Sequence, residues 1–143
     1  MKHLFSTRKL IVLAAACMLS AGTLWAEINP KPFIVPELKE WKGAEGMTQL
    51  SGNIVVKSSK LNAVAQALAA DYKEMFGKEL TIKKGKAKAG DIVLTLANKE
   101  LGAEGYKLEI GETVNVVSPT AQGAFWATRT LLQMSEQNAQ RLQ

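Results

Sequence analysis

Beyond residue 26 this chain contains neither cysteine nor histidine; its one cysteine is Cys17 and its one histidine His3. That excludes Ser–His–Asp and Cys–His nucleophile systems, and zinc sites built on His or Cys. No disulfide can form downstream of Cys17, so packing alone must stabilise the domain there. Aspartate is nearly as scarce. Asp71 and Asp91 are the only two, and neither is followed by glutamate. Asp71 falls in a helical pattern beside Tyr72, and Asp91 opens a strand after a glycine, so both read as ordinary surface or turn carboxylates. No G-x-x-x-x-G-K-[ST] loop and no G-x-G-x-x-G turn occurs, which removes the common phosphate-cradling motifs. The residues therefore offer no catalytic constellation, no cofactor site and no metal site.

One uninterrupted apolar run is present, Leu10 to Leu19, preceded by Lys2, Arg8 and Lys9 and followed by small residues up to Ala26. A charged start, a short apolar centre and a small residue at the end read as a secretory signal peptide over residues 1–26, which implies a periplasmic or secreted product. The uncharged stretch lies at the short limit for a bilayer span and is rich in alanine, so a stable membrane span is not expected. Cys17 within Ala14-Ala15-Ala16-Cys17 allows a lipoprotein anchor as the alternative, although Leu13 sits one place too early for the usual pattern. Cleavage after Ala26 lowers the net charge: 18 Lys+Arg against 13 Asp+Glu gives +5, and losing the three leader cations leaves +2. The remaining basic cluster, Lys83-Lys84-Gly85-Lys86-Ala87-Lys88, has no aromatic to stack a base, so nucleic acid is not an expected partner. It reads as a solvated loop between strands.

Residues 29–36 carry Pro30, Pro32 and Pro36 and read as a stiff, extended lead-in, with Phe33 to Pro36 an edge strand. Trp41 and Met47 to Leu50 are ambiguous short strands, and Ile54 to Val56 a clearer one. From about Ser59 to Phe76, Leu61, Val64, Ala65, Leu68, Tyr72, Met75 and Phe76 form one apolar stripe, capped by Ser58 or Ser59 and ended by Gly77. Leu80 to Ile82 and Asp91 to Leu96 follow as strands. Ile92-Val93-Leu94 does not alternate, which suggests a central strand covered on both faces. Tyr106 to Ile110 and Val114 to Val117 flank a short turn and form a hairpin. Ser118-Pro119 then opens a helix, with Ser118 as N-cap. The economical arrangement is an α+β sandwich: a mixed sheet with two amphipathic helices on one face.

The end of the chain is its most specific part. Gly105-Tyr106, Val114-x-Val116, Gly123-x-Phe125-Trp126 and Thr130-Leu131-Leu132-Gln133 resemble, in register, the N-terminal accessory domain of glycoside hydrolase family 20, the β-N-acetylhexosaminidases. The resemblance runs from about Pro32 to Met134. It implies an α/β domain over residues 29–134 that precedes a catalytic barrel. Residues 135–143 then read as a tail where that barrel would begin, and the chain as truncated before it. Family 20 enzymes use an adjacent Asp–Glu pair, in which Glu protonates the leaving oxygen and Asp orients the substrate's acetamido group. No position here matches that pair. The resemblance therefore implies an exported, non-catalytic domain whose partner is an intramolecular barrel. Similar domains precede the barrels of α-glucuronidases and O-GlcNAcase-like hydrolases, and these stand as alternatives.

Helical spacing adds a surface. Ala121, Ala124, Phe125, Thr128, Leu131 and Leu132 share one face and Trp126 lies nearly opposite, so Trp126 and Met134 are candidates for a barrel-docking surface. Phe125 and Leu132 are expected to point into the sheet. A stand-alone glycan- or envelope-binding module is the rival reading, and it needs a concavity lined by Trp41 or Tyr106.

Overall fold

The computed structural model describes residues 28–141. The export-signal reading of residues 1–26, with Cys17 and the membrane-anchor alternative, lies outside them. Among the described residues no helix is long and apolar enough to cross a membrane.

Among the described residues, five strands and two α-helices follow the expected order: β1 (Asn53–Val56), α1 (Asn62–Phe76), β2 (Thr81–Lys83), β3 (Ile92–Leu96), β4 (Lys107–Ile110), β5 (Val114–Ser118) and α2 (Ala121–Arg141). They make one mixed sheet of order β2-β1-β3-β5-β4, in which only β4 runs antiparallel to its neighbour. Side chains alternate across each strand. Ile54, Val56, Ile92, Leu94, Val114 and Val116 join Leu61, Val64, Leu68, Ala124, Ala127, Leu131 and Leu132 in one core between the sheet and both helices. The two-helices-on-one-face arrangement is therefore what forms.

The other face is where the topology is informative. Strand β2 ends at Lys83 and β3 starts at Ile92, on the far side of β1 and parallel to it. The lysine-rich loop must therefore carry the chain back along the sheet and across β1. A right-handed return in this direction runs on the face opposite α1. Val55 and Val93 share that face, and they are 0% and 6% exposed. The loop joins strands as expected, but it is a crossover rather than a tip.

Local chemistry sets the ends of α1. A 3-10 turn, Ser59–Leu61, leads in, and the Ser58 hydroxyl accepts from the Lys60 N–H at 3.4 Å. Gly77 closes the helix at φ 66°, a left-handed conformation that costs glycine nothing. The stripe is fully buried through Leu68 and half-buried at Tyr72 and Phe76, whereas Met75 is exposed.

Helix α2 departs from the sequence reading at both ends. Ser118 is buried and its hydroxyl donates to the Gly105 carbonyl at 2.8 Å, so it closes β5 instead of capping the helix. Thr120 takes over as cap, its hydroxyl accepting from the Gly123 N–H at 3.0 Å. At the other end the helix does not stop at Met134 but continues to Arg141.

Phe33 to Pro36 pairs with no strand among the described residues, and the chain bends at Val35 and Pro36. Its backbone is held by two glutamines of α2: Val35 N–H donates to Gln133 Oε1 at 2.9 Å, and Gln133 Nε2 donates back to the Val35 carbonyl at 3.0 Å. Gln137 does the same for Phe33, accepting from its N–H at 3.0 Å and donating to its carbonyl. Met47 to Leu50 is likewise not a strand; Thr48 instead donates to the Gly111 carbonyl at 2.6 Å. Residues 28–30 and 43–46 belong to a compact unit separate from the rest of the described residues. Within it Ile28 bridges Glu45, and the Asn29 amide donates to the carbonyls of Ala44 and Gly46 at 2.8 and 2.7 Å.

Candidate functional site

Helix α2 carries most of the residues singled out by sequence. Ala124, Ala127, Thr128, Leu131 and Leu132 are buried, while Ala121 and Phe125 are half-buried against the core. Trp126 is 39% exposed and meets Phe125 edge-on, ring centroids 5.7 Å apart. Met134 is half-buried. Eight residues separate it from Trp126, which places them about 12 Å apart along the axis and about 80° apart around it. The two proposed docking residues thus lie on neighbouring flanks of one helix.

Phe125 does not turn wholly into the sheet. The Arg129 guanidinium sits over its ring, 4.6 Å from the centroid, and Arg129 Nη1 meets Asp71 Oδ2 at 2.5 Å. Nε and Nη2 of Arg129 are buried without a hydrogen-bond partner among the described residues. The ring face supplies part of what they lack, since a cation is attracted to an aromatic quadrupole. Asp71 is therefore an inter-helix strut between α1 and α2. No sequence signal pairs Asp71 with Arg129, because the helices' relative rotation is not written in either stripe.

Asp91 departs further from its expected role. It is 0% exposed, not a surface turn residue. Oδ1 accepts from the Ser51 hydroxyl at 2.6 Å and the Asn53 amide at 3.3 Å, and Oδ2 from the Lys88 N–H at 2.9 Å, with Lys83 Nζ at 3.4 Å. The Ser51 hydroxyl and the Lys88 N–H hold its carboxyl well below the usual carboxylate range, and burial opposes them only in part. Ser51 and Asn53 stand at the start of β1, Lys83 closes β2, and Lys88 lies within the β2–β3 crossover itself. A carboxylate so saturated has no acceptor capacity to spare for substrate, and its role is to lock that crossover.

The rival reading turns on Trp41 and Tyr106. Tyr106 spends its hydroxyl on Thr130 at 2.5 Å. Trp41 is 36% exposed, nearly as open as Trp126. The shallow depression at the C-terminal end of β1 is lined by Val56, Lys57, Ser58, Ser59, Lys84 and Gly85, with neither aromatic in it. Lys57 Nζ there is engaged with the Gly85 carbonyl at 2.7 Å.

The residues that make the chain's end distinctive turn out to be a packing device. Ser118, Thr120, Gly105 and Gly123 meet where the loop before β4 crosses the start of α2. A Cβ on Gly123 would strike the Ser118 hydroxyl and the Gly105 carbonyl, and one on Gly105 would strike the Leu101 carbonyl. The Thr120 hydroxyl also donates to the Ala103 carbonyl.

Comparison with known proteins covers this end of the chain as well. The profile of glycosyl hydrolase family 20, domain 2, matches residues 31–143. Lacto-N-biosidase of Bifidobacterium bifidum is 38% identical over 112 residues, covering 75% of this chain and 10% of the relative. Two solved structures share the fold. The family 20 β-N-acetylhexosaminidase of Streptomyces coelicolor A3(2) superposes with a TM-score of 0.53 at 24% identity, over 74% of this chain and 19% of that one. The family 20 exo-β-N-acetylglucosaminidase of Vibrio harveyi gives 0.51 at 19% identity, over 61% of this chain and 13% of that one. The chain thus spans a tenth of the curated relative's length and under a fifth of either structure's.

Proposed function

The chain belongs to glycosyl hydrolase family 20, domain 2, and from that premise we propose that it is the non-catalytic accessory domain of an exported β-N-acetylhexosaminidase-like hydrolase. The observation that carries this reading is the profile match across residues 31–143, set beside a sequence with no adjacent Asp–Glu pair. The chemistry belongs to a catalytic barrel in the same polypeptide, acting on glycosides of N-acetylhexosamine, as the names of the relatives suggest. This domain's part is to pack against that barrel. The exposed flank of α2 at Trp126, with Met134 beside it, is the surface we assign to that contact, because a partly open tryptophan is a typical interface anchor. Residues 1–26 serve export.

The experiment is direct. The purified chain, incubated with a chromogenic N-acetylglucosaminide, gives no turnover. Hydrolysis at an enzyme-like rate that follows the protein through successive purification steps overturns the non-catalytic reading.

A further inference from the structure

Helix α2 is longer than the sheet it covers. Its 21 residues extend about 31 Å, whereas the five of β5 extend about 17 Å. Its last core residue is Leu132, and no described side chain from Gln133 to Ala139 is buried. Beyond the half-buried Met134, no apolar side chain of residues 133–139 holds the final turns in place, and helix ends without tertiary packing fray. The lead-in segment is in the same position. Between Lys31 and Pro36 only Ile34 is buried, while Phe33 and Val35 are 78% and 62% exposed. The Lys31–Glu37 ion pair, exposed on both sides, is too well solvated to order it.

What these two weakly held segments have is each other. Four helical residues rise about 6.0 Å and two extended residues about 6.6 Å, so glutamines at i and i+4 stand level with alternate residues of an extended chain. Each glutamine amide offers one acceptor and a donor, the pair a neighbouring strand would offer. Gln133 and Gln137 thus act as two rungs of a ladder for Val35 and Phe33, with Ile34 buried between them.

We infer that residues 31–36 and residues 133–141 form a single conformational latch, in which each segment is ordered only while the other is in place. The chain entering the domain and the helix leaving it then loosen together. Coupling of this kind is reciprocal: whatever releases the lead-in frees the helix end, and the converse holds to the same degree. The inference stands apart from the proposed function, since it needs no barrel and no substrate.

Residue-level hydrogen exchange on the full chain tests it from both sides. In the native protein the Phe33 and Val35 amides are protected. In the Gln133→Ala/Gln137→Ala variant they lose protection at least about tenfold, and the amides of residues 137–141 lose it by a similar factor while β1 to β5 are unchanged. Alanine has the higher helix propensity, so on local grounds alone this substitution firms the helix. Ile34→Ala leaves α2 untouched, and it produces the same paired loss in the lead-in and the helix end. Helix amides that keep their protection in either variant, or a lead-in that stays protected without the glutamines, overturn the latch.

Discussion

A buried carboxylate that donates nothing and accepts from four partners makes its stability contribution conditional on pH. Asp91 has a carboxyl held below the ordinary range in the folded state. Its contribution is therefore fully present above the unfolded value of about 3.9 and is lost progressively as pH falls below it. Asp91→Asn should accordingly unfold at a lower temperature than the parent at pH 7, with the two melting curves converging between about pH 4 and pH 2. Parallel curves across that range would show that Asp91 does not supply the acid sensitivity. The sequence put this residue correctly at the start of a strand and missed its burial, because Ser51, Asn53, Lys83 and Lys88 reach it only after the crossover brings them there. Trp126 is the opposite case, since helical spacing alone put it away from the core. With 39% of its surface open and one edge contact to Phe125, Trp126→Ala should cost this chain no more than about 1 kcal/mol by chemical denaturation. A loss of about 3 kcal/mol or more would class it with core aromatics and remove it from the docking surface.

Elements were legible where a period was long and clean, and their ends were legible only where no distant partner competed. The stripe from Leu61 to Phe76 gave α1 to within a turn, and Gly77 closed it as glycine does. Ser118 had every local mark of an N-cap, yet it stands two residues early: its hydroxyl donates to the Gly105 carbonyl and accepts from the Thr120 N–H, and capping falls to Thr120. That knot yields a sign prediction. In an open helix Gly→Ala gains about 1 kcal/mol, but at Gly123 the added methyl strikes Ser118 and backbone, so Gly123→Ala should lose about 2–3 kcal/mol. A stabilised variant in a thermal melt would mean that the loop before β4 does not press on α2. Between the helices, Asp71 and Arg129 should couple by about 1 kcal/mol in a double-mutant cycle, above the median for open pairs because each keeps little more than a third of its side chain exposed or less. Additive single losses would mean the strut contributes nothing.

At the scale of the molecule, pattern reading reached the class of the fold and the family, and stopped short of strand order. Alternation in β5 and the unbroken apolar run of β3 say how those strands are buried, but alternation misleads at the edge strand β4, where Ile110 is exposed, and nothing in the pattern says that β1 lies between β2 and β3. The lysine loop looked like any solvated connection because a crossover and a tip share the same polar composition. The Gln133–Val35 and Gln137–Phe33 contacts were equally invisible, since neither glutamine breaks the helical pattern. If the exposed flank of α2 seats a barrel, then in a polypeptide that carries both parts Trp126→Ala should lower the melting temperature of the whole by several degrees, unlike in this chain. Equal small shifts in the two contexts would leave the docking face elsewhere. The placement of α2 after all five strands also bears on synthesis. Ile92, Leu94, Val114 and Val116 line the sheet's core face, and the residues that cover them, Ala124, Ala127, Leu131 and Leu132, are made after all five strands. A nascent chain that has reached Ser118 therefore carries a bare apolar sheet face, the condition in which unfinished chains aggregate. Closure of this core therefore waits until about residue 132 has been made.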